Sequence, residues 1–288
     1  MTLPVRRRFR QVDVFTSVAF KGNPLAVVLD AEGLADEQMH AIARWTNLSE
    51  TTFVLAPTDP AADYRVRIFS PGTEFPFAGH PTLGTAHALL EAGLRPKTAG
   101  RLVQECGVGL VPIRLDATGL LAFRAPEATL EALPLPLHAV LARALGTDAF
   151  CTDPAPLVAT MGIAWLVVKM DSAAACLAVE PALAGLLELT RGGITGIALY
   201  GAHAAGGPAD YEVRAFFTKQ GALTEDPVTG SANACIARVL QQQGRQVAYC
   251  ARQGTRLQCD GRIAVMFEDG APWIGGHSVT VIDGAILA

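Results

Sequence analysis

The sequence is short of charge. Only 17% of its 288 residues are charged, against about 25% in an average soluble protein. The balance is slightly acidic, with a net charge of −4 and a pI near 5.9. This leaves no electrostatic basis for coating nucleic acid or adhering to an acidic membrane. The one basic run, Arg6-Arg7-Arg8 with Arg10, is short and reads as a solvated terminus leading into a strand. Long hydrophobic runs are also missing: nothing approaches the roughly 18 uninterrupted apolar residues of a membrane span. No apolar stretch follows the basic start, so it does not read as a secretory signal. The six cysteines, Cys106, Cys151, Cys176, Cys235, Cys250 and Cys259, show no CxxC spacing and no partnered histidines. A zinc site and a disulfide framework are therefore not expected, and reduced thiols fit a cytoplasmic protein. His80 and His87 lie seven apart with no acidic residue between them, so no metal is expected there either.

What is present is apolar mass and an internal repeat. Half the residues are hydrophobic, and the length suffices for about two domains with a sizeable core. The segment Glu74-Phe75-Pro76-Phe77-Ala78-Gly79-His80 opens a small-residue helix, and Glu225-Asp226-Pro227-Val228-Thr229-Gly230-Ser231 opens another. Superposed, their Glu, Pro, Gly, Ala and Leu positions coincide. An arginine-bearing strand precedes each copy, Tyr64-Arg65-Val66-Arg67 and Tyr211-Glu212-Val213-Arg214. A glycine turn feeding a helix start exposes unpaired N–H groups and a positive dipole end, which suits an anion. The copies differ where chemistry would differ: Phe75 becomes Asp226, and His80 becomes Ser231.

Period and punctuation predict the elements. Strands are expected at 10–15, 25–29, 51–55, 64–69, 101–106, 110–115 and 120–124. Asp36 is expected to cap a helix through about Trp45, and a helix should run from about Pro81 to Ala92, stopped by Gly93. The proline-spaced stretch Leu130–Pro136 is the best boundary, giving halves 1–130 and 131–288, with the C-terminal tail able to cross back to the first. The second half should hold helices at 138–145, 181–189 and up to Gln243, strands at 164–169, 194–200 and 211–217, and an all-β tail. Without regular βαβ alternation, an α+β chain of two similar halves is favoured over a Rossmann sheet.

Three carboxylate or imidazole positions carry possible chemistry. Glu50, between a helix and an apolar strand, is either an exposed strand end or a partly desolvated general base. His80 is either a cap or a proton donor near neutral pH. Asp226 reads as a capping aspartate until Phe75 is set beside it, which shows that the turn itself needs no carboxylate. Ser231 is an N-cap hydroxyl or a contact to a substrate carboxylate.

Asn47-Leu48-Ser49-Glu50-Thr51-Thr52-Phe53, Phe77-Ala78-Gly79-His80-Pro81-Thr82-Leu83-Gly84-Thr85-Ala86 and Glu225-Asp226-Pro227-Val228-Thr229-Gly230-Ser231-Ala232 together resemble the phenazine-biosynthesis isomerase family. Val12-Asp13-Val14-Phe15, Gly22-Asn23-Pro24 and Trp273-Ile274-Gly275-Gly276 extend the resemblance over nearly the whole chain. It implies the diaminopimelate-epimerase-like fold: two pseudo-symmetric halves, each a β-barrel-like sheet around a central helix, with the active site in the cleft between them. It also implies Glu50 as general acid/base, supported by His80 and Asp226. Gly79, Gly230, Thr229 and Ser231 would bind the carboxylate of a small-molecule substrate. No cofactor is implied, and a homodimer is. Diaminopimelate epimerases place a cysteine at each glycine turn, whereas Cys235, the nearest here, is four residues inside the helix. An isomerase moving a proton is thus expected, with a Glu/Asp-based amino-acid epimerase and a non-catalytic metabolite binder as rivals.

Overall fold

The computed structural model describes residues 4–219 and 221–288. In chain order the elements are β1 (Arg6–Val14), β2 (Asn23–Val28), α1 (Asp36–Thr46), β3 (Glu50–Leu55), β4 (Tyr64–Phe69), β5 (Glu74–Phe75), α2 (Gly79–Glu91), β6 (Arg101–Cys106), β7 (Gly109–Leu115) and β8 (Leu121–Arg124). They continue with β9 (Thr129–Ala132), α3 (His138–Leu145), β10 (Leu157–Thr160), β11 (Ala164–Lys169), α4 (Ala173–Ala178), α5 (Leu183–Leu189), β12 (Gly196–Ala202), β13 (Tyr211–Lys219) and β14 (Ala222–Asp226). The last are α6 (Gly230–Gln242), β15 (Tyr249–Gln253), β16 (Gly261–Glu268), β17 (Ala271–Gly276) and β18 (Ser278–Leu287). The chain divides into two compact units, one of residues 1–124 with 275–288, the other of residues 125–274.

The repeat seen in the two glycine turns extends to strand pairing. In the first unit β2 and β3 are parallel, β3 and β4 antiparallel, β4 carries β5 antiparallel on its edge and β6 parallel, and β6 pairs antiparallel with β7. The second unit repeats the pattern with β11 and β12 parallel, β12 and β13 antiparallel, β14 antiparallel and β15 parallel to β13, and β15 antiparallel to β16. β18 joins the first unit by pairing antiparallel with β1.

Each unit wraps its strands around one buried helix. Eight residues of α2, from His80 to Ala86 and Ala88, are buried, and it packs on β1, β2, β3, β8 and β18. Ten residues of α6 are buried, against β10, β11, β12 and β16 among others. A helix buried on nearly all faces needs small side chains to let strands approach. Gly84 shows how close: a Cβ there would meet Leu25 Cδ2 at 2.6 Å and Val14 Cγ2 at 2.7 Å. The second unit adds an outer layer in which Leu141, Leu145, Leu186 and Leu189 of α3 and α5 pack with Leu166, Val168, Ile197 and Leu199 of the sheet.

Several local expectations change. Arg6-Arg7-Arg8 already pairs in β1, and although Arg6 and Arg8 are exposed, Arg7 is only 8% exposed. Its guanidinium donates to the carbonyls of Asp30 and Glu32, which outweighs its taste for water. Asp36 is not the cap of α1. Ala35 holds that position, its N–H bonded to the Gln38 side chain, which frees Asp36 to pair with Arg67. α2 starts at Gly79 rather than Pro81. Residues 130–132 of the stretch Leu130–Pro136, read as linker, belong to β9 and pair with β10, and β5, β10, α4 and β14 are too short for a periodic signal.

Candidate active site

In the first unit the sequence motifs converge on one pair. β3 begins at Glu50, which lies opposite Leu25 in the parallel pairing with β2, so the carboxylate stands at the mouth of a buried sheet. α2 is fixed against the same strand by Thr85 Oγ1, which donates to Thr52 Oγ1 at 2.8 Å. That places the start of the helix over the start of the strand, with His80 Nε2 3.2 Å from Glu50 Oε2. Their side chains are 9% and 17% exposed, respectively. Burial pulls the imidazole down to about 3, because a charged ring would lose its hydration. His80 is therefore a neutral imidazole at neutral pH, not a ready source of a proton on its own. The two atoms approach within 3.2 Å without forming a hydrogen bond to each other in this structure, so the neutral ring stands close to a half-buried carboxylate and would exchange a proton with it only on realignment.

The second unit builds its turn around Asp226. β14 runs up to this residue, so Glu225 and Asp226 are strand residues and only then does the chain turn at Pro227. Thr229 Oγ1 donates to Asp226 Oδ2 at 2.6 Å, within a turn whose N-cap residue is Thr229 itself. Thr229 is thereby committed to Asp226 and does not offer its hydroxyl elsewhere. Ser231 is not the cap either. It sits inside the first turn, and its Oγ accepts from Trp165 Nε1 at 3.1 Å. That bond occupies a lone pair and leaves the Ser231 O–H free to donate. Neither helix start carries a side chain capping its first turn, which keeps backbone donors at Gly79 and Gly230 suited to an anion.

A shared scaffold holds both turns. Arg67 Nε and Nη2 grip Glu74 at 2.7 Å each, and Arg214 grips Glu225 in the same fork at 2.9 Å each. Each guanidinium also lies over a phenylalanine two residues on, Phe69 at 5.0 Å and Phe216 at 4.7 Å. A glycine at the end of the neighbouring strand presses on each turn proline. A Cβ on Gly107 would meet Pro76 Cα at 2.7 Å, and one on Gly254 would meet the Pro227 carbonyl oxygen at 2.6 Å.

Other features separate from these groups. An open groove of about 730 Å³ on the first unit is lined by Arg65, Arg67, Glu74, Phe75 and Glu105 among others, but not by Glu50 or His80. Cys235 is fully buried in α6, its thiol pushed up to about 12 by burial. Neither glycine turn carries a cysteine. Among the described residues no cluster of three or more His, Cys, Asp or Glu could hold a metal ion, and no helix is long and apolar enough to cross a membrane. The sequence reading missed Gln253, Asn233 and Trp165, which lie around the second turn. The signal available for Gln253 was a single amide ending an otherwise alternating strand.

Comparison with known proteins places these motifs. A family model described as phenazine biosynthesis-like protein matches residues 12–284. A trans-2,3-dihydro-3-hydroxyanthranilate isomerase from Pseudomonas aeruginosa is 34% identical over 246 residues, covering 84% of this chain and 82% of its own. The fission yeast Schizosaccharomyces pombe protein called antisense-enhancing sequence 1 is 32% identical over 297 residues, covering 96% and 97%. Among solved structures, a Bacillus anthracis phenazine biosynthesis protein of the PhzF family superposes with a TM-score of 0.84 at 25% identity, covering 99% of this chain and all of its own. The α+β fold expected from the sequence agrees with that match.

Proposed function

The chain belongs to the phenazine biosynthesis-like family, as an isomerase, and from that premise we propose that it moves a proton within a small cyclic carboxylate without a cofactor. The observation that carries this reading is the Glu50–His80 pair, a half-buried carboxylate 3.2 Å from a buried neutral imidazole. Glu50 takes a proton from a C–H bond that is conjugated to the substrate carboxylate. The electron pair left behind spreads into the conjugated system, towards a carboxylate held by the unpaired N–H groups of a glycine-turn helix start. Glu50, now protonated, returns the proton to another carbon of the same skeleton, so that the double bond moves and no oxidant is required. His80 orients Glu50 and relays its proton. Asp226 supplies or accepts the second proton needed where a hydroxyl or enol of the substrate changes state. General acid–base help of this kind contributes about 10²–10⁴-fold, with positioning supplying the rest.

The name of one relative, a trans-2,3-dihydro-3-hydroxyanthranilate isomerase, supports a substrate of that class. We take that compound as the first to test. Incubation in D₂O with it and with a panel of unsaturated cyclic acids and α-amino acids, read by mass spectrometry and proton NMR, decides between readings. The expected result is a shifted double bond, with deuterium at the receiving carbon to the extent that the proton on Glu50 exchanges with solvent before it is returned. Exchange at the α-carbon of an amino acid with inversion would establish the epimerase instead. Ligand binding with neither a shifted double bond nor exchange in any compound would establish a binding protein.

A further inference from the structure

The turn that carries Asp226 is clamped by a buried amide. Gln253, the last residue of β15, is fully buried and uses all four of its hydrogen-bonding positions. Its Nε2 donates to the Asp226 carbonyl at 3.1 Å and to Thr229 Oγ1 at 2.8 Å. Its Oε1 accepts from the Thr229 backbone N–H at 3.0 Å and from Asn233 Nδ2 at 3.0 Å. A backbone N–H can only donate and a carbonyl can only accept, so the amide has one permitted orientation. The Thr229 hydroxyl has a single proton. Its oxygen already accepts from Gln253, so the proton is directed to Asp226 Oδ2, 2.6 Å away. Oδ2 is thus an acceptor, and a proton carried by Asp226 resides on Oδ1.

We propose that Gln253, acting through Thr229, is a positioning residue that reserves Oδ2 of Asp226 as an acceptor and makes Oδ1 the oxygen that exchanges a proton with the substrate. The proposal rests on the acid–base reading of Asp226 given above, and adds the atom and the groups that select it. The first unit supplies the internal contrast. There the glycine that approaches the turn proline, Gly107, is preceded by Cys106 where Gly254 is preceded by Gln253, so that position carries no amide. The residue matching Asp226 is Phe75, and no carboxylate needs a direction. In the second unit Gly254 lets β15 approach the turn closely, since a Cβ there would meet the Pro227 carbonyl oxygen at 2.6 Å.

Thr229→Val removes the hydroxyl and keeps the shape, whereas Thr229→Ser keeps the hydroxyl. With trans-2,3-dihydro-3-hydroxyanthranilate as substrate, Thr229→Val should lower kcat by about tenfold or more with KM changed by less than about threefold, and Thr229→Ser should stay within about threefold of wild type. If Thr229 acts through Asp226, the double variant Asp226→Asn/Thr229→Val should be no slower than Asp226→Asn alone. Gln253→Glu puts an acceptor in place of Nε2, draws the hydroxyl proton away from Asp226, and should match Thr229→Val in kcat. A readout independent of turnover is the ¹³C resonance of the Asp226 carboxyl, identified by its loss in Asp226→Asn. It should titrate at higher pH in Thr229→Val than in wild type or Thr229→Ser, by about half a unit or more, since the hydroxyl favours the charged form. The charged neighbours Glu225 and Arg214 form a closed pair that none of these variants alters. Equal titration in Thr229→Val and Thr229→Ser, or additive losses in the double variant, would overturn the proposal while leaving Asp226 catalytic. An Asp226→Asn enzyme with wild-type kcat would instead remove the reading of Asp226 itself, and the proposal with it.

Discussion

His80 sits in an environment far from its ordinary one. Its imidazole is held neutral by burial, with its pKa down at about 3. A buried group kept uncharged in the fold gains protons on unfolding between that value and about 6.5. The stability it contributes is therefore fully present above about pH 6.5 and is lost as pH falls towards the folded value, by up to about 1.4 kcal/mol per pH unit. His80→Gln has no proton to gain. Urea unfolding at pH 7.5 and pH 4.5 should show a larger loss for wild type than for His80→Gln. Identical losses would mean that the ring is already charged beside Glu50. The residue-level motifs around this pair were legible in the sequence, because Glu50 and His80 each lie in a distinctive string. The neutral state of the ring was not legible. It depends on α2 being buried on nearly every face, which only the packed unit shows.

At the scale of elements, the two arginine–glutamate forks are one device in two settings. Arg67 and Glu74 have side chains 27% and 38% exposed, and Arg67 also reaches Asp36 on α1. Arg214 and Glu225 are 4% and 12% exposed, and Arg214 Nη1 additionally donates to the carbonyls of Cys176, Leu177 and Val179 around the end of α4. Removing one partner of a pair exposed to water costs about 1 kcal/mol or less, whereas leaving a buried charge unpaired costs about 3–5 kcal/mol. Arg214→Met should therefore destabilise the protein several times more than Arg67→Met in equilibrium urea unfolding. Comparable losses would show that the second fork is wetter than its geometry indicates. The sequence displayed both arginine strands and both glutamates, but not which copy was covered. The covering element, α4, is six residues long and too short to announce itself by period.

The repeat of two glycine turns led to two related units, and the strand pairing now repeats across them as well. A duplicated frame frees each copy to keep the structural parts and diverge in the chemical ones. The arginine–glutamate fork, the turn proline and its glycine neighbour are kept, while Phe75 and Asp226, or His80 and Ser231, are not. Chain-scale similarity to phenazine biosynthesis-like proteins agrees with the motifs read from the residues. What no motif revealed is the hydrogen-bonding order around Asp226, because it joins β15 to a turn more than twenty residues away. The most direct measurement on the whole enzyme compares wild type with Glu50→Gln in the proposed isomerisation, with trans-2,3-dihydro-3-hydroxyanthranilate as the test compound, followed by NMR, with circular dichroism confirming equal folding. Glu50→Gln keeps the shape of the side chain and removes the base, so its kcat should fall about 10²-fold or more. A folded Glu50→Gln enzyme that retains more than about a tenth of wild-type kcat would contradict the assignment of Glu50 as the group that carries the proton.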